Sequence, residues 1–528
     1  MMSVSDVQVF DPVLLNTFLI RKKRCRVYFH RGTLIWESEG ASYTRHRLPL
    51  SDVMAVHYVH SPDQTHCCPA ADQDGNNVDD KPVSELTAAA PPRHTGFTLH
   101  YAARSAKNKW KHETVTMNHT DPRQVASWVK TIRNCLSGLQ KRPKRLLLFV
   151  NPYGGKKKGL QIYEKQVKPL FVLAGIETNV IITQRQNHAR DTLLNCSFDS
   201  IDGVACIGGD GTFAEVFNGL VLRTARDCGV DHNDPDAILP KPFFRVGVIP
   251  GGSTDTMAYC FNGTTDIQTA VLYIILGDST GLDLCSVHSN ATLLQYFSSV
   301  ISYGYLGDVV RDSEKFRWMG PKRYEYSGFK KFMANNGYEG EVTLLADSCS
   351  PSSGPKCMEN CARCQSHAEN EQNKTAQSHG ELKTFRGKFF MVSGANVSCA
   401  CTRSPNGISP FCHLGDGCVD VLIIKHTHLL NNLKLLLRLS SKEKNVFDLP
   451  FVEVHRAREF TFRALPAPVS NPEFPSRRLI PGVSVWNCDG EVQWESNIRI
   501  RVHCQLLQVF TRRSQESSEE TSCGVCSF

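Results

Sequence analysis

Apolar and polar residues alternate in short runs over the first 140 residues, a pattern typical of β-strands. A polar stretch at 61–93 interrupts these runs and predicts a long exposed loop. Near the end of the region Asp121-Pro122 opens a helix whose apolar residues, Trp128 among them, recur at helical spacing. Strands are predicted at 13–20, 25–30, 33–37, 53–60, 96–102 and 109–117. The pattern predicts a small β domain closed by one helix, with the tryptophan in its core.

From residue 146 the pattern changes to short buried strands that alternate with helices. This order predicts an α/β layer around a parallel sheet. From about residue 281 strands dominate again and predict a mostly antiparallel unit, broken by irregular insertions at 348–382 and 465–481. In the α/β layer, strands are predicted at 146–150, 179–183, 203–207 and 245–249, and helices at 163–173, 188–195 and 212–222. The predicted domains are 1–140, 142–280 and 281–515.

The composition is that of an ordinary globular protein, with 41% hydrophobic and 21% charged residues among 528. The formal net charge of +8 favours anionic partners such as nucleotides or acidic membranes, and we expect no nucleic-acid partner. No apolar run approaches the ~20 residues of a membrane-spanning helix, and the first residues lack the order of a secretory signal. We expect a cytoplasmic chain whose 21 cysteines are mostly reduced thiols.

One segment carries more chemistry than a turn requires. The predicted strand 203–207 runs into Gly208-Gly209-Asp210-Gly211, and a helix begins at once. Glycines there let the backbone approach a phosphate, with N–H groups and a helix N-terminus facing the anion. An aspartate among them is a poor phosphate ligand, so we expect it to accept a proton or to help hold a metal ion. The alternative is a plain strand-to-helix turn in which Asp210 is the N-cap.

Two further strands end in glycine-rich loops of the same kind. Strand 146–150 leads into NPYGG at 151–155, and strand 245–249 leads into PGGSTD at 250–255. In parallel sheets such loops gather at the carboxyl ends of the strands, where ligands bind. Three loops from successive strands therefore predict one shared phosphate-binding site.

Several common nucleotide signatures are absent: the Walker A pattern, the protein-kinase HRD set, and GxGxxG followed by an acidic residue. NPYGG at 151–155, GGDGTFAEVFNG at 208–219 and PGGSTDT at 250–256 instead resemble the diacylglycerol-kinase catalytic-domain family, which sphingosine, ceramide and diacylglycerol kinases share. The resemblance covers roughly residue 142 to the end. It implies an α/β nucleotide domain followed by an antiparallel β-sandwich that binds the lipid.

Within this family the chain resembles the ceramide kinases. They combine a pleckstrin-homology-like N-terminal domain, here 1–140, with PxGSTD at 250–255 and a CxxxCxxC motif, here Cys357, Cys361 and Cys364. The segments 398–401, 413–417 and 486–491 are also similar to those of ceramide kinases. The resemblance implies transfer of the γ-phosphate of ATP to the primary hydroxyl of ceramide, giving ceramide 1-phosphate. It also implies Mg²⁺ as cofactor, regulation by Ca²⁺ and calmodulin, and a peripheral location at Golgi or plasma membrane.

The resemblance assigns roles to individual positions. Asp210 resembles the general base that accepts the proton of the substrate hydroxyl, and the resemblance assigns it to substrate binding together with Gly208, Gly209 and Gly211 of the same motif. Asp308 resembles the carboxylate that contacts the polar head of the lipid in sphingosine kinases. Mg²⁺ would neutralise charge on the triphosphate. The implied ATP-binding positions are Asn151, Pro152, Tyr153, Gly154, Gly155, Thr183, Thr212, Phe213, Ala214, Glu215, Val216, Gly252, Ser253, Asp489, Gly490 and Glu491.

A basic run lies between the first two predicted strands. In pleckstrin-homology domains this turn often holds phosphoinositide headgroups, which makes Lys22, Lys23, Arg24 and Arg26 candidate ligands for an acidic membrane surface. The alternative is a solvated basic turn.

The cysteines of the CxxxCxxC motif are candidate soft metal ligands, although their spacing does not match a standard pair of C-x2-C groups. The favoured alternative is a thiol-rich loop that is redox-active or merely exposed. His413 is interpreted as a loop histidine that makes local hydrogen bonds and has no catalytic role. Further candidate ligands in the sequence are Cys349, His367 and Cys399.

The segment 428–444 is rich in leucine and lysine, and Ile423, Leu430 and Leu436 follow a 1-8-14 spacing like that of calmodulin targets. A helix packed on the sandwich is the favoured alternative.

Two rival functions remain open at this stage. The chain could be a sphingosine or diacylglycerol kinase. The cysteine-containing insertion argues against a sphingosine kinase, and the lack of C1 repeats argues against a diacylglycerol kinase. It could also be a non-catalytic lipid-binding adaptor, which would not need Asp210 or three intact glycine loops.

Overall fold

The computed structural model describes residues 12–39, 43–59, 94–155, 157–320, 322–347, 357, 361, 363–364, 381–402, 404–439, 441, 444, 446–465 and 482–512. The chain forms two compact units. The first contains Met1–Ser105 and Trp110–Lys141, and the second contains Ala106–Lys109 and Arg142–Phe528. The predicted loop at 61–93 and nearly all of the two predicted insertions lie outside the described residues.

The first unit is an antiparallel sheet closed by one helix. Its elements are β1 (Leu14–Ile20), β2 (Lys23–His30), β3 (Thr33–Ser38), β4 (Arg45–Pro49), β5 (Val53–Tyr58), β6 (Gly96–Ala106), β7 (Lys109–Asn118) and α1 (Pro122–Ser137). The strands pair in the order β4-β3-β2-β1-β7-β6-β5. Helix α1 begins as predicted, with Asp121 accepting the N–H of Arg123 at 2.9 Å and Pro122 in the first turn. Trp128 is 1% exposed and meets Phe18 edge-on, so its predicted core position is confirmed.

The second unit opens with a parallel sheet flanked by helices. Its first elements are β8 (Arg145–Val150), α2 (Gly159–Ile162), α3 (Lys168–Leu173), β9 (Glu177–Ile182), α4 (His188–Asn195), β10 (Gly203–Gly208), α5 (Asp210–Asp227), β11 (Arg245–Pro250), α6 (Thr256–Asn262) and α7 (Ile267–Leu276). The strands pair in parallel in the order β9-β8-β10-β11. Strand order reverses between β8 and β10, and ligands of such sheets bind beyond the strand ends at this reversal. The predicted α/β layer is confirmed.

The rest of the second unit is mainly antiparallel, as predicted. Its elements are β12 (Ser279–Ser289), β13 (Thr292–Phe297), β14 (Val300–Gly304), α8 (Tyr305–Ser313), α9 (Lys322–Ala334), β15 (Tyr338–Ala346), β16 (Glu381–Ala395), β17 (Val419–Lys425), α10 (Leu429–Leu439), β18 (Val452–Ala464), β19 (Trp486–Cys488), β20 (Glu491–Gln493) and β21 (Ile498–Phe510). The order β20-β19-β14-β16-β15-β18-β21 leads directly into β11. Helices α8 and α9 were not predicted.

Strand β21 belongs to both parts of this unit. Near its end Gln508 and Val509 pair in parallel with Arg245 and Val246 of β11. Over most of its length the same strand pairs antiparallel with β12, and it also pairs with β18. The α/β layer and the antiparallel layer therefore share one continuous sheet. No helix in the described residues is long and apolar enough to cross a membrane.

Candidate active site

Three loops lie at the carboxyl ends of the parallel strands, on both sides of the reversal between β8 and β10. They are the loop after β8 at 151–155, the turn after β10 at 208–211 and the loop after β11 at 251–255. Each of these segments is followed by a helix, α2, α5 or α6. The arrangement places backbone N–H groups and helix N-termini at one edge of the sheet, which suits a polyphosphate.

The three loops make direct contact at Gly252. A Cβ atom on Gly252 would lie 2.5 Å from the Cα of Gly209. A Cβ atom on Gly155 would lie 2.5 Å from the backbone carbon of Gly252, and Gly155 has a positive φ of 52°. Side chains at these positions would therefore force the loops apart. The glycines predicted for phosphate approach also allow the loops to approach one another.

Asn151 organises the first loop and connects it to the second. Its Oδ1 accepts the backbone N–H groups of Tyr153 at 2.9 Å and Gly154 at 3.0 Å. Its Nδ2 donates to Thr212 Oγ1 at 2.9 Å, across to the first turn of α5. The oxygen and the nitrogen of the Asn151 amide thus both hold the loops in place. The sequence motif alone did not reveal this role.

Asp255 plays the corresponding part in the third loop. Its Oδ1 accepts the N–H of Gly252 at 2.8 Å and that of Gly251 at 3.3 Å. The residue has a positive φ of 55°, so the backbone is held in the left-handed region by these contacts. Asp255 was not among the predicted site residues, although the motif PGGSTD contained it.

Asp210 is the first residue of α5, and Gly209 is the N-cap of that helix. The carboxylate of Asp210 accepts the N–H of Met257 at 2.8 Å and that of Thr256 at 3.2 Å, at the start of α6. It therefore caps a different helix, and the alternative of an N-cap for its own helix is wrong. Both carboxylate oxygens are held, yet each keeps a lone pair for a further donor.

The surroundings of Asp210 favour its protonated form. Burial raises the pKa of Asp210 above its usual value, and the nearby carboxylates of Asp255 and Asp489 raise it further. The two hydrogen bonds from α6 act in the opposite direction. An aspartate with a raised pKa is a better proton acceptor once ionised, which suits a general base.

The other predicted ATP-binding positions differ in what they offer a ligand. Phe213 and Val216 are 0% exposed, and their side chains pack in the core beneath α5. Their assignment to the ATP site stays a prediction. Thr183 is also buried, with its hydroxyl 3.4 Å from the carbonyl of Val150. Ala214 is half-buried against the same core. Exposed or half-exposed positions in the three loops are Pro152, Tyr153, Gly154, Gly155, Gly252 and Ser253.

Glu215 caps a neighbouring helix much as Asp210 does. Its carboxylate accepts the N–H of Asn187 at 2.8 Å and that of Ala189 at 3.1 Å, at the start of α4. Burial raises the pKa of Glu215. The side chain fixes α4 against α5.

The late segment 489–491 returns to the α/β layer. The carboxylate of Asp489 accepts five hydrogen bonds from Ser298, Ser299 and Val300, which leaves it little capacity for a metal ion. Gly490, with a φ of 91°, forms the turn to Glu491. Glu491 is exposed and accepts a hydrogen bond from Gln186 at 3.0 Å, beside the loop after β9.

Asp308 lies in α8 and is only 2% exposed. It accepts hydrogen bonds from the hydroxyls of Tyr338 and Ser484, the latter at 2.8 Å, and pairs with Arg311 at 3.0 Å. These partners occupy the carboxylate in this structure, and the assignment of Asp308 to the lipid head stays a prediction. Arg311, by contrast, has a buried Nη1 without a hydrogen-bond partner in the described part of the chain.

The basic run of the first unit forms a tight turn. Arg21 and Lys22 have positive φ values of 48° and 65°, typical of a two-residue hairpin turn. Strand β2 begins earlier than predicted, at Lys23, so the following basic residues lie on the strand. Arg24 and Arg26 are exposed and lie 3.7 Å and 3.6 Å from Glu39.

The cysteines of the CxxxCxxC motif do not form an exposed loop. Cys357, Cys361 and Cys364 are buried together with His413, and Cys361 Sγ lies 3.0 Å from His413 Nδ1. Cys399 lies elsewhere, with its thiol against the carbonyls of Ser299 and Val397. Cys349 and His367 fall outside the described residues.

The 1-8-14 spacing does not describe one helix. Ile423 is buried in β17, whereas α10 begins at Leu429. Leu430 and Leu437 are exposed on α10, while Leu435 is buried. The three residues of the spacing therefore do not lie on one helix, and calmodulin binding stays a prediction.

Family models match the chain in three successive segments. A ceramide kinase PH domain matches residues 14–132, a diacylglycerol kinase catalytic domain matches 145–287, and a ceramide kinase C-terminal domain matches 297–527. The predicted fold, a pleckstrin-homology domain followed by a diacylglycerol-kinase catalytic fold, is confirmed.

Relatives that match most of this chain are also ceramide kinases. A ceramide kinase of Homo sapiens is 38% identical over 86% of this chain and 92% of its own length. A ceramide kinase of Mus musculus is 41% identical over 80% and 84% of the two chains. A ceramide kinase of Oryza sativa subsp. japonica is 28% identical over 78% and 84%.

Proposed function

Because the chain belongs to the ceramide kinase family, we propose that it transfers the γ-phosphoryl group of ATP to the primary hydroxyl of ceramide, giving ceramide 1-phosphate and ADP. The observation that carries this proposal is the contact of three glycine loops at Gly252, beside the carboxylate of Asp210. A chain that only bound lipid would not need a phosphate cradle with a proton acceptor in it.

In this proposal Asp210 accepts the proton of the ceramide hydroxyl as its oxygen attacks the γ-phosphorus. The N–H groups of Thr256 and Met257 orient the carboxylate. Orientation matters because most catalysis in phosphoryl transfer comes from positioning and charge stabilisation. The N-termini of α5 and α6 would stabilise negative charge on the reacting phosphate.

The triphosphate would lie along the loops at 151–155, 208–211 and 251–255. Mg²⁺ is expected to arrive with the nucleotide, because the described residues hold no group of three carboxylates close enough to bind a metal ion alone. Magnesium commonly keeps its waters and binds one or two carboxylates together with phosphate oxygens. Glu491, which is exposed and accepts a hydrogen bond from Gln186, is the most available carboxylate of the late segment. Bound Mg²⁺ would neutralise charge that develops on the phosphates.

The ion pair between Asp308 and Arg311 favours a neutral lipid head. An unpaired carboxylate would attract the ammonium group of sphingosine, but Arg311 already neutralises Asp308 at 3.0 Å. The free Nη1 of Arg311 is a donor suited to the amide carbonyl of ceramide. We therefore assign head recognition to Arg311, with Asp308 as the residue that positions it.

A membrane must deliver the lipid, and α9 offers a surface for docking. Trp318, Phe329 and Met333 are 82%, 67% and 54% exposed, on or directly before this helix. Lys330 and Lys331 lie on the same helix and would face anionic lipid headgroups. The helix follows α8, which carries Asp308 and Arg311, so lipid could pass from the membrane toward these residues.

Further partners are proposed from the family and from the surface. We propose that Lys22, Lys23, Arg24 and Arg26 bind phosphoinositide headgroups and place the enzyme at Golgi or plasma membrane. Ca²⁺ and calmodulin are proposed regulators from the family resemblance alone. The exposed leucines of α10 are the part of 428–444 that a partner could reach.

One experiment tests the proposed function against its rivals. The purified chain is incubated with Mg²⁺ and γ-labelled ATP in mixed micelles containing ceramide, sphingosine or diacylglycerol at equal mole fraction. We expect labelled ceramide 1-phosphate as the main product. A preference for sphingosine or diacylglycerol would refute the substrate assignment, and lipid binding without any labelled product would favour a non-catalytic adaptor.

A further inference from the structure

Four potential metal ligands lie together in the buried part of the second unit. They are the thiols of Cys357, Cys361 and Cys364 and the Nδ1 atom of His413, all within 4.8 Å of one another. In the part of the chain that the structure describes, this is the one group of three or more His, Cys, Asp or Glu side chains close enough together to hold a metal ion. The residues come from two segments about 50 positions apart, so their proximity is a product of folding.

Two of the distances between these atoms are close to those of a tetrahedral zinc centre. Zinc–sulfur bonds of ~2.3 Å and zinc–nitrogen bonds of ~2.0 Å place ligand atoms about 3.5–3.8 Å apart. Cys357 Sγ and Cys364 Sγ are 3.8 Å apart, and Cys364 Sγ is 3.9 Å from His413 Nδ1. Cys361 Sγ lies closer to the imidazole, at 3.0 Å. A disulfide would require a sulfur separation of about 2.05 Å, so Cys357 and Cys364 are not bonded.

Backbone groups support thiolates at this position. Leu414 N–H points to Cys357 Sγ at 3.1 Å, and Cys364 N–H points to Cys361 Sγ at 3.4 Å. All four side chains are buried.

We propose that Cys357, Cys361, Cys364 and His413 bind one Zn²⁺ ion in a closed structural site. Three sulfurs and one nitrogen in a tetrahedron select zinc over hard cations such as Mg²⁺ or Ca²⁺. All four positions are supplied by the protein, so no site is left open for catalysis. Binding replaces the thiol protons, and metal affinity therefore falls as the pH is lowered.

The proposed zinc site would hold the CxxxCxxC segment against the junction of the two layers. Gln505 of β21 donates its Nε2 to the carbonyls of Cys364 at 2.7 Å and Gly415 at 2.8 Å. Asp283 of β12 donates its N–H to the carbonyl of Leu414 at 2.7 Å. The ligands thus attach to the two long strands that form the antiparallel layer beside β11.

The test measures metal in the full-length chain, purified with reductant and without chelator. We expect about one zinc per chain by mass spectrometry of the elements. X-ray absorption at the zinc edge of the wild type should show three sulfur neighbours near ~2.3 Å and one nitrogen near ~2.0 Å. This measurement needs no variant, so misfolding of a mutant cannot confuse it. A shell of oxygen or nitrogen atoms alone, or wild-type protein without zinc, would overturn the proposal.

Matched variants separate the ligands from nearby cysteines. Cys361→Ser and His413→Ala should lose most of the zinc, whereas His413→Cys should keep it because four thiolates also bind zinc in a tetrahedron. Cys412→Ala is the control: Cys412 is 4% exposed and adjacent to His413, but its thiol contacts the carbonyl of Ala395. A chelator should lower the Tm of the wild type and of Cys412→Ala but not that of His413→Ala. Full zinc in both ligand variants, or a Cys357–Cys364 disulfide in wild-type protein, would also overturn the site.

Discussion

Replacing Asp210 by asparagine tests the proposed general base with little change in shape. The side chain keeps one oxygen, which can still accept the N–H of Met257 or Thr256. One backbone donor at the start of α6 is then left without an acceptor, at a cost of about 1–3 kcal/mol. Part of this cost is offset, because burial disfavours the charged carboxylate that asparagine replaces. We expect the free energy of unfolding to fall by at most about 2 kcal/mol.

The effect on catalysis should be much larger. Loss of a general base typically lowers the rate by ~10²–10⁴-fold, which corresponds to about 2.7–5.4 kcal/mol of transition-state stabilisation. Affinity for ATP should be retained or slightly increased, since a negative charge beside the phosphates is removed. The assay compares initial rates of ceramide phosphorylation with nucleotide binding and thermal unfolding on the same preparation.

Glu215→Gln is the matched control for Asp210→Asn. As at Asp210, burial raises the pKa of Glu215, and its carboxylate accepts two backbone N–H groups at the start of a neighbouring helix. Its substitution should lower stability by a similar amount and leave kcat within about tenfold of the wild type. If Asp210→Asn keeps more than a tenth of the wild-type kcat, or if Glu215→Gln loses as much, Asp210 is not the base.

Three further substitutions test other parts of the site. Gly252→Ala should abolish most activity, because the added Cβ would lie 2.5 Å from Gly209 Cα and separate the loops. Initial rates measure the loss of activity, and circular dichroism checks that the protein remains folded. Arg311→Met should raise the sphingosine-to-ceramide turnover ratio, because Asp308 becomes an unpaired carboxylate; a competition assay in mixed micelles gives this ratio independently of the folded fraction. Lys22→Glu with Lys23→Glu should weaken binding to phosphoinositide vesicles and make that binding less dependent on salt, as measured by vesicle sedimentation. The kcat in detergent micelles should not fall.

Each of these substitutions has a control with the same chemical change. Gly387→Ala adds a Cβ where no atom lies within 4 Å, and it should be silent. Arg311→Lys keeps the positive charge beside Asp308, so the turnover ratio should stay near that of the wild type. Arg123→Glu with Lys130→Glu changes the net charge equally on exposed positions of α1. Equal loss in a variant and its control would contradict the corresponding prediction.

Most of the correct predictions came from patterns between residues close together in the sequence. The strand-to-loop-to-helix pattern around each glycine motif lies within about twenty residues, and α4 was predicted at its exact bounds of His188–Asn195. Strand β4 was missed because RHRLP has one buried apolar residue, Leu48, and otherwise reads as a charged loop. Phe213 and Val216 were assigned to ATP because the motif is contiguous, whereas a helix turns every third or fourth residue toward the core.

Contacts between distant residues could not be predicted. Asp210 caps a helix 46 residues later, and Cys361 meets a histidine 52 residues later. Neither pairing leaves a signal in periodicity or spacing, because each depends on how whole elements pack. Asp308 shows the same limit: its position in a motif suggested ligand contact, while Tyr338, Ser484 and Arg311 surround it in the fold.

The position of β21 has a consequence for fragments of this protein. A piece ending near residue 280 would contain the glycine loops and Asp210, yet it would lack the strand that covers the edge of β11. Exposed backbone on a hydrophobic strand is a template for intermolecular pairing, so such a piece should aggregate when expressed alone. The α/β layer becomes complete only after the chain has been synthesised to residue 510, so a stop codon late in the reading frame would also damage this earlier layer.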